Sequence, residues 1–360
     1  MKTKMIVVGL GHAWREHYSK VLHKVDELEL IGTVDPAFTS TEVMQGGTHG
    51  HFHVQTVGEI PSDFVSAEVM VMVLTPDHYD VLAELAHMGF RNILCEKPLV
   101  SRVAEIPEVE RLVASGVKLY AMDFYLPKTL GLQVVKGLVT EDDPRYPWLR
   151  ISEQADFKGM LGEVEGVGVQ IVEAGKFCLP DLAGRPYLAT DKEIGGMILD
   201  LITHACGPLQ QAGLLDDWRV LDASLARLNE NTTGHLVPVR QVAEVEMYAT
   251  ALLEAGEIPV SLSFGKVPIS KGGLWSLQVR GKNGVYYAGL RTGQPSVLIG
   301  NDGHVVTFSL TLSTYEFVLR EALLYFHGML SGFDGNLGAF KTSMEVGQAI
   351  LGKYWERISK

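Results

Sequence analysis

The chain has 360 residues, a length that suits two domains better than one core. Hydrophobic residues make up 46% and charged residues 21%, an ordinary globular balance, and no apolar run approaches the ~20 residues that cross a bilayer. The net charge of −12 disfavours nucleic acid as a partner, since phosphate backbones demand clustered Lys and Arg. Cys95, Cys178 and Cys206 are too few and too far apart for a disulfide framework or a zinc knuckle, and point to reduced thiols in a cytoplasm. The chain enters a strand within a few residues, so no signal peptide is expected.

The first predicted strand, 5–9, runs into the turn Gly9-Leu10-Gly11. Such a turn lets backbone approach a pyrophosphate at the N-terminus of the next helix, here 14–25, where free N–H groups and the helix dipole favour negative charge. His12, Ala13 and Trp14 follow the turn, and Trp14 takes the third position of the G-x-G-x-x-G/A pattern in place of a small residue. A second strand, 28–34, leads to Asp35, about 24 residues beyond Gly11. A carboxylate there accepts hydrogen bonds from ribose hydroxyls and repels a 2′-phosphate. No Arg follows in Pro36-Ala37-Phe38-Thr39, which favours NAD over NADP. Between Pro36 and Ser66 the signals weaken to a short helix and a short strand; His49, His51 and His53 alternate there and read as a solvated loop.

Strands at 69–74, 92–95 and 118–122, with helices near 77–89 and 102–115, continue the alternation that builds a doubly wound parallel sheet. Val69 to Leu74 is apolar throughout, which suits a strand buried on both faces. Two motifs fall at strand ends, where open α/β sheets bind ligands. Thr75-Pro76-Asp77-His78 reads as a helix start whose Thr75 and Pro76 reach a cofactor, with His78 on the surface. In Cys95-Glu96-Lys97-Pro98-Leu99, Pro98 restricts Lys97 to an extended conformation. A lysine aimed from there can bond a substrate hydroxyl and stabilise its oxygen as the proton leaves. The alternative is a solvated Glu–Lys pair.

The pattern changes after about residue 124. A helix at 128–140, a loop-rich stretch at 141–161 and a strand at 162–172 precede a helix at 197–213. Strands follow near 218–228, 241–252, 258–266, 274–281, 284–290 and 304–309, then helices at 315–330 and 339–358. The expected domains are 1–124 and 125–360, the second built on a large antiparallel or mixed sheet. One face of such a sheet is expected to be covered by another subunit. Gly195-Gly196 opens the 197–213 helix, and Asp200 and His204, at i and i+4, share one helical face. Imidazole is the natural acceptor when an alcohol gives up hydride, and a carboxylate would orient it. A buried His satisfied by the acid is the alternative; a metal would need further ligands that the spacing does not supply. Glu173, Arg185 and Tyr187 are candidates for substrate specificity.

Taken in order, Glu96-Lys97-Pro98 and Gly195-Gly196 with Asp200 and His204 resemble the Gfo/Idh/MocA oxidoreductase family over nearly the whole chain. The resemblance implies a Rossmann domain, a C-terminal α/β domain with an open sheet, and a homodimer or homotetramer. It implies Gly9, Gly11, Asp35, Thr75 and Glu96 at the cofactor, Lys97 assisting proton movement, Asp200 binding substrate and His204 as general acid/base. The chain departs from the family at Trp14, at Asp80 where a His is common, and after His204, where Ala205-Cys206-Gly207-Pro208 stands. A second stretch, Asp123-Phe124-Tyr125-Leu126-Pro127-Lys128, is similar to a segment of the glucose-6-phosphate dehydrogenases. That likeness implies Asp123 supporting His204, Tyr125 beside the substrate and Lys128 meeting an anionic group; otherwise Asp123 is a helix cap or a strand end. The expected activity is hydride transfer between a nicotinamide and a ring hydroxyl or ketone of a sugar, sugar phosphate or cyclitol, with Lys97 and His204 facing one nicotinamide across one cleft. A reductase of C=N or C=C bonds and a nucleotide-sensing regulator are the alternatives.

Overall fold

The computed structural model describes residues 2–38, 51–75, 78–123, 129–174, 196–228, 236–240, 246–267, 273–289 and 294–359. Packing divides the chain into two units. The first comprises Met1–Val100, Ala104–Asp123 and Tyr315–Leu337; the second comprises Ser101–Val103, Phe124–Thr314 and Gly338–Lys360.

In the first unit, β1 (Thr3–Val8), β2 (Leu28–Val34), β3 (Phe52–Val54), β4 (Met70–Val73), β5 (Asn92–Cys95) and β6 (Lys118–Ala121) form one parallel sheet. Its order is β3-β2-β1-β4-β5-β6. All of β4 is buried, because crossover helices cover both faces of a parallel sheet. The chain reverses its direction of build between β1 and β4, which opens a crevice at their carboxyl ends. A π-helical turn, Trp14–Tyr18, runs into α1 (Ser19–Leu22), then come α2 (His78–Met88) and α3 (Ile106–Ala114). The sequence predicts one α-helix over 14–25; the wider turn appears where the bulky Trp14 enters the core beside Tyr18.

The second unit holds α4 (Leu130–Lys136), β7 (Leu149–Ile151), α5 (Phe157–Leu161), β8 (Val164–Ala174) and α6 (Gly196–Gln211). Then come β9 (Trp218–Leu228), β10 (Leu236–Pro238), β11 (Tyr248–Ala255), β12 (Ile258–Val267), β13 (Leu274–Gly281), β14 (Gly284–Gly289), β15 (Ser296–Gly300) and β16 (Val305–Leu310). The ten strands form one sheet in the order β10-β9-β11-β12-β8-β13-β14-β15-β16-β7. Every pairing is antiparallel except β12 with β8. The predicted loop at 141–161 contains β7 and α5. β7 is a three-residue edge strand too short to show alternation, and α5 is a short helix whose Asp156 caps it by accepting from the Gly159 amide. β15, absent from the prediction, is five residues held between two neighbours.

α7 (Thr314–Phe326) and α8 (Leu337–Ile358) close the chain. α7 packs into the first unit, where Val318, Leu319, Ala322, Leu323 and Phe326 join the core of Met5, Val7, Trp14 and Tyr18. The Arg320 guanidinium donates to Glu27 at 2.9 Å, and the Tyr120 hydroxyl donates to Glu321 at 2.5 Å. Among the described residues no helix is long and apolar enough to cross a membrane.

Candidate functional site

The first unit presents its candidate residues around the ends of β1, β2, β4 and β5. Gly9 has φ +96°, and a Cβ there would stand 2.8 Å from the Thr75 nitrogen, so glycine is required by backbone and neighbour alike. Gly11 has no neighbour within 4 Å of where a Cβ would be. Among the described residues this opening leaves room for a pyrophosphate to reach the turn, so the residues present fit a dinucleotide. Asp35 is buried. Its Oδ2 accepts the Leu10 amide at 2.6 Å and its Oδ1 accepts the Ala37 amide at 2.8 Å, which ties the end of β2 to the glycine turn. Each oxygen has a further lone pair for a ribose hydroxyl. Trp14, which follows the turn, lies with its side chain in the core beside Met5, Val7 and Tyr18, where the indole buries its large apolar surface. Ala13 is half-buried, while His12 is exposed with its ring edge-on to His17 at 5.6 Å.

Glu96 and Lys97 follow β5, both half-buried, and the Lys97–Pro98 peptide is cis. His78 is a correction to the sequence reading. It is buried, and its Nδ1 is hydrogen-bonded to the Pro98 carbonyl, so the start of α2 holds this loop. Tyr315, from α7, is one residue that sequence reasoning missed. Its ring stacks on His17 with centroids 4.4 Å apart and meets Tyr18 edge-on at 5.2 Å. Burial pushes its hydroxyl above the usual tyrosine range; Glu96 pushes the same way and Lys97 opposes. It therefore stands within electrostatic reach of both groups. Its distance along the chain hides this, and no local motif marks it. Asp123, at the end of β6, is buried and acts on Tyr18, as Glu96 does. Pro76, Tyr125, Lys128, Arg185, Tyr187, Cys178 and Gly195 lie outside the described residues.

The second unit centres on α6, buried from Gly196 to Leu209. Gly196 has φ +56°, and a Cβ there would lie 2.5 Å from the Glu246 carboxyl carbon. Glu246 accepts the Met197 amide through its carbonyl and the Ile198 amide through Oε1, each at 3.1 Å. The glycine thus serves a cap from within the protein. Asp200 and His204 are both buried. Lys266, on β12, places Nζ 3.4 Å from Asp200 Oδ2 and 3.4 Å from Glu173 Oε2. Sequence reasoning missed Lys266, although a signal existed: it stands in register with the inward-facing Val260, Leu262 and Phe264.

The histidine alternation of 49–53 also resolves differently. His53 lies in β3, with one ring nitrogen on Thr33 Oγ1 at 2.8 Å and the other on the Phe38 carbonyl at 2.9 Å, so it belongs to the sheet edge. His51 is exposed, and His49 lies outside the described residues. Among the described residues no group of three His, Cys, Asp or Glu could hold a metal ion.

A six-stranded parallel sheet in this order, with a glycine turn at its switch point, defines a dinucleotide-binding architecture, here followed by a second unit built on a large open sheet. Residues 3–124 match the model of the GFO_IDH_MocA oxidoreductase family, its NAD-binding Rossmann fold. By that match the first unit carries the NAD-binding domain of the Gfo/Idh/MocA oxidoreductases. Two solved structures are similar over the whole length. KijD10, a 3-ketoreductase from Actinomadura kijaniata in complex with NADP and TDP-benzene, is 15% identical with a TM-score of 0.69, covering 98% of each chain. An oxidoreductase from Agrobacterium radiobacter in complex with NAD+, L-tartaric acid and magnesium is 17% identical with a TM-score of 0.69, covering 99% of this chain and 97% of that one. At such identities the likeness is one of fold. No curated protein matches the chain by sequence.

Proposed function

We propose that the protein moves hydride between a nicotinamide dinucleotide and a carbinol or ketone carbon of a sugar, sugar phosphate or cyclitol ring, through Lys97, Asp200 and His204. The observation that supports this most is the charge buried on α6. A helix enclosed in apolar surroundings carries Asp200 beside the Lys266 ammonium, one turn before His204. Burying ions is expensive unless they are paired, and stability alone rarely explains it.

A dinucleotide held with its pyrophosphate at the glycine turn would supply, through its nicotinamide, the hydride acceptor in oxidation and the donor in reduction. Lys97 donates a hydrogen bond to the reacting oxygen and stabilises its developing negative charge. His204 takes the hydroxyl proton in oxidation and returns it in reduction. Asp200 binds a substrate hydroxyl one helical turn ahead of His204. Asp123, Tyr125, Lys128 and Arg185 are proposed substrate contacts. Asp35 favours NAD, since a second negative charge at the ribose would be repelled; the similar structures hold both cofactors.

The test is a panel of sugars, sugar phosphates and inositols with NAD+ and NADP+, read as absorbance of the reduced cofactor. With the substrate so found, Lys97→Ala and His204→Ala each lower kcat by about 10²–10⁴-fold, the range for loss of acid/base assistance. Turnover near wild type in either variant rules out the role given to it.

A further inference from the structure

Two inward-facing rows of the second sheet end in charge at one level. On β8 the row is Val167, Val169, Ile171 and Glu173; on β12 it is Val260, Leu262, Phe264 and Lys266. These strands are parallel neighbours, and Lys266 stands opposite Glu173 in register. α6 packs over both strands and brings Asp200 to the same ammonium. The side chains of Lys266 and Asp200 are each 3% exposed, that of Glu173 27%. A lysine stem is long enough to carry its ammonium to water at small cost. Here the ammonium is held under a helix, which is tolerable only beside an anion. The two carboxylates depend on it unequally. Glu173 reaches solvent, which can stabilise its charge; Asp200 has scarcely any such access.

We propose that Lys266 is the positioning residue of this half of the site: its ammonium keeps Asp200 ionised and fixes the direction of its carboxylate, one helical turn ahead of His204. Lys266 acts through Asp200 and does not touch the reacting atoms. The assignment deepens the proposed function by naming what holds Asp200 for substrate, and it rests on that function only for what Asp200 is used for. Among the described residues, the titratable groups on the elements packed at this end include Glu173 on β8, Asp200, His204 and Cys206 on α6, Tyr248 on β11 and Glu246 just before it. Among the carboxylates of the described residues, Asp200 and Glu173 lie within ion-pair distance of Lys266.

The experiment reads charge and needs no substrate. Thermal midpoints are measured from pH 5 to 8 for the full chain, Lys266→Met, Lys266→Arg, and Lys266→Met combined with Asp200→Asn. Without the ammonium, buried Asp200 holds a proton in the folded state that it releases on unfolding. Its folded pKa then lies above its unfolded value, so stability present at acid pH is lost as pH rises. Lys266→Met should therefore fall below wild type by a margin that widens toward pH 8. Asp200→Asn should abolish the widening and restore most of the loss, and Lys266→Arg should track wild type. Glu246 titrates in all four proteins and cancels from the differences. If Lys266→Met does not fold, recovery of a folded double variant is the same result. A loss independent of pH, or a double variant as unstable as the single one, overturns the proposal, since Lys266 would then be packing or a partner of Glu173 alone. A failed substrate panel would leave this outcome untouched.

Discussion

Glu246 shows how one carboxyl can serve structure in its neutral form. It is buried at the start of α6, where Oε1 accepts the Ile198 amide. Burial pushes it up to about 8, with the amide pulling the other way. In the unfolded chain the same carboxyl titrates near 4.5, so the folded state holds its proton more tightly. The sign follows: this stability is complete below about pH 4.5 and is lost as pH rises toward 8. Glu246→Gln keeps an oxygen to accept the amide and removes the titration. Relative to that variant, the wild-type thermal midpoint should fall between about pH 5 and 8, by the equivalent of a few kcal/mol. Parallel curves would contradict the buried-acid account. Lys266 illustrates the opposite arrangement, in which a neighbouring ion preserves charge.

At the scale of elements, the turn after β1 contains two glycines that are glycine for different reasons. Gly9 is fixed by its φ of +96° and by the Leu74–Thr75 peptide against it. Gly9→Ala should lose about 1–3 kcal/mol in thermal or denaturant unfolding, the usual range for a side chain forced into that conformation. Gly11 faces open space. Gly11→Ala should unfold like wild type yet bind NADH at least about tenfold more weakly, because the methyl group takes up space that the pyrophosphate needs. Unchanged NADH affinity by fluorescence titration would remove the turn from the cofactor site. Elements with strong periodicity were legible: β2, β5, β9 and β13 fall where apolar runs and turns predict them. The π-helical turn at Trp14 was not, because a packing conflict between one indole and the sheet decides it, not the propensity of the segment. β7 and β15 were not either; each is short and owes its extension to partners far away in sequence.

At the scale of the whole molecule, both sheets were foreseeable from strand spacing, whereas the gathering of side chains from separate segments was not. Glu96, Lys97, Asp200 and His204, the residues proposed for the site, are marked by local context. Tyr315 reaches Glu96 only because α7 packs back on the first unit, and Lys266 matters only because two strands and a helix converge on it. The second sheet has one face under α6 and one outward face. Leu252, Leu274, Tyr287, Ile299 and Val305 are exposed, and the strand registers put them all on that outward face. A broad face of this kind is expected to bury itself against a second copy of the chain. Light scattering should give a dimer or tetramer mass, and Tyr287→Lys with Ile299→Lys should shift it toward the monomer. A monomeric wild-type protein would contradict this arrangement.

The central claim is that Lys97 and His204 serve one hydride transfer. The direct measurement is kcat for Lys97→Ala, His204→Ala and the double variant on a single substrate from the panel. Groups that act as one unit show non-additive losses, so the double variant should fall no more than about tenfold below the worse single variant. A double variant whose loss equals the product of the two single losses would mean that the lysine and the histidine act independently, and the account would fail.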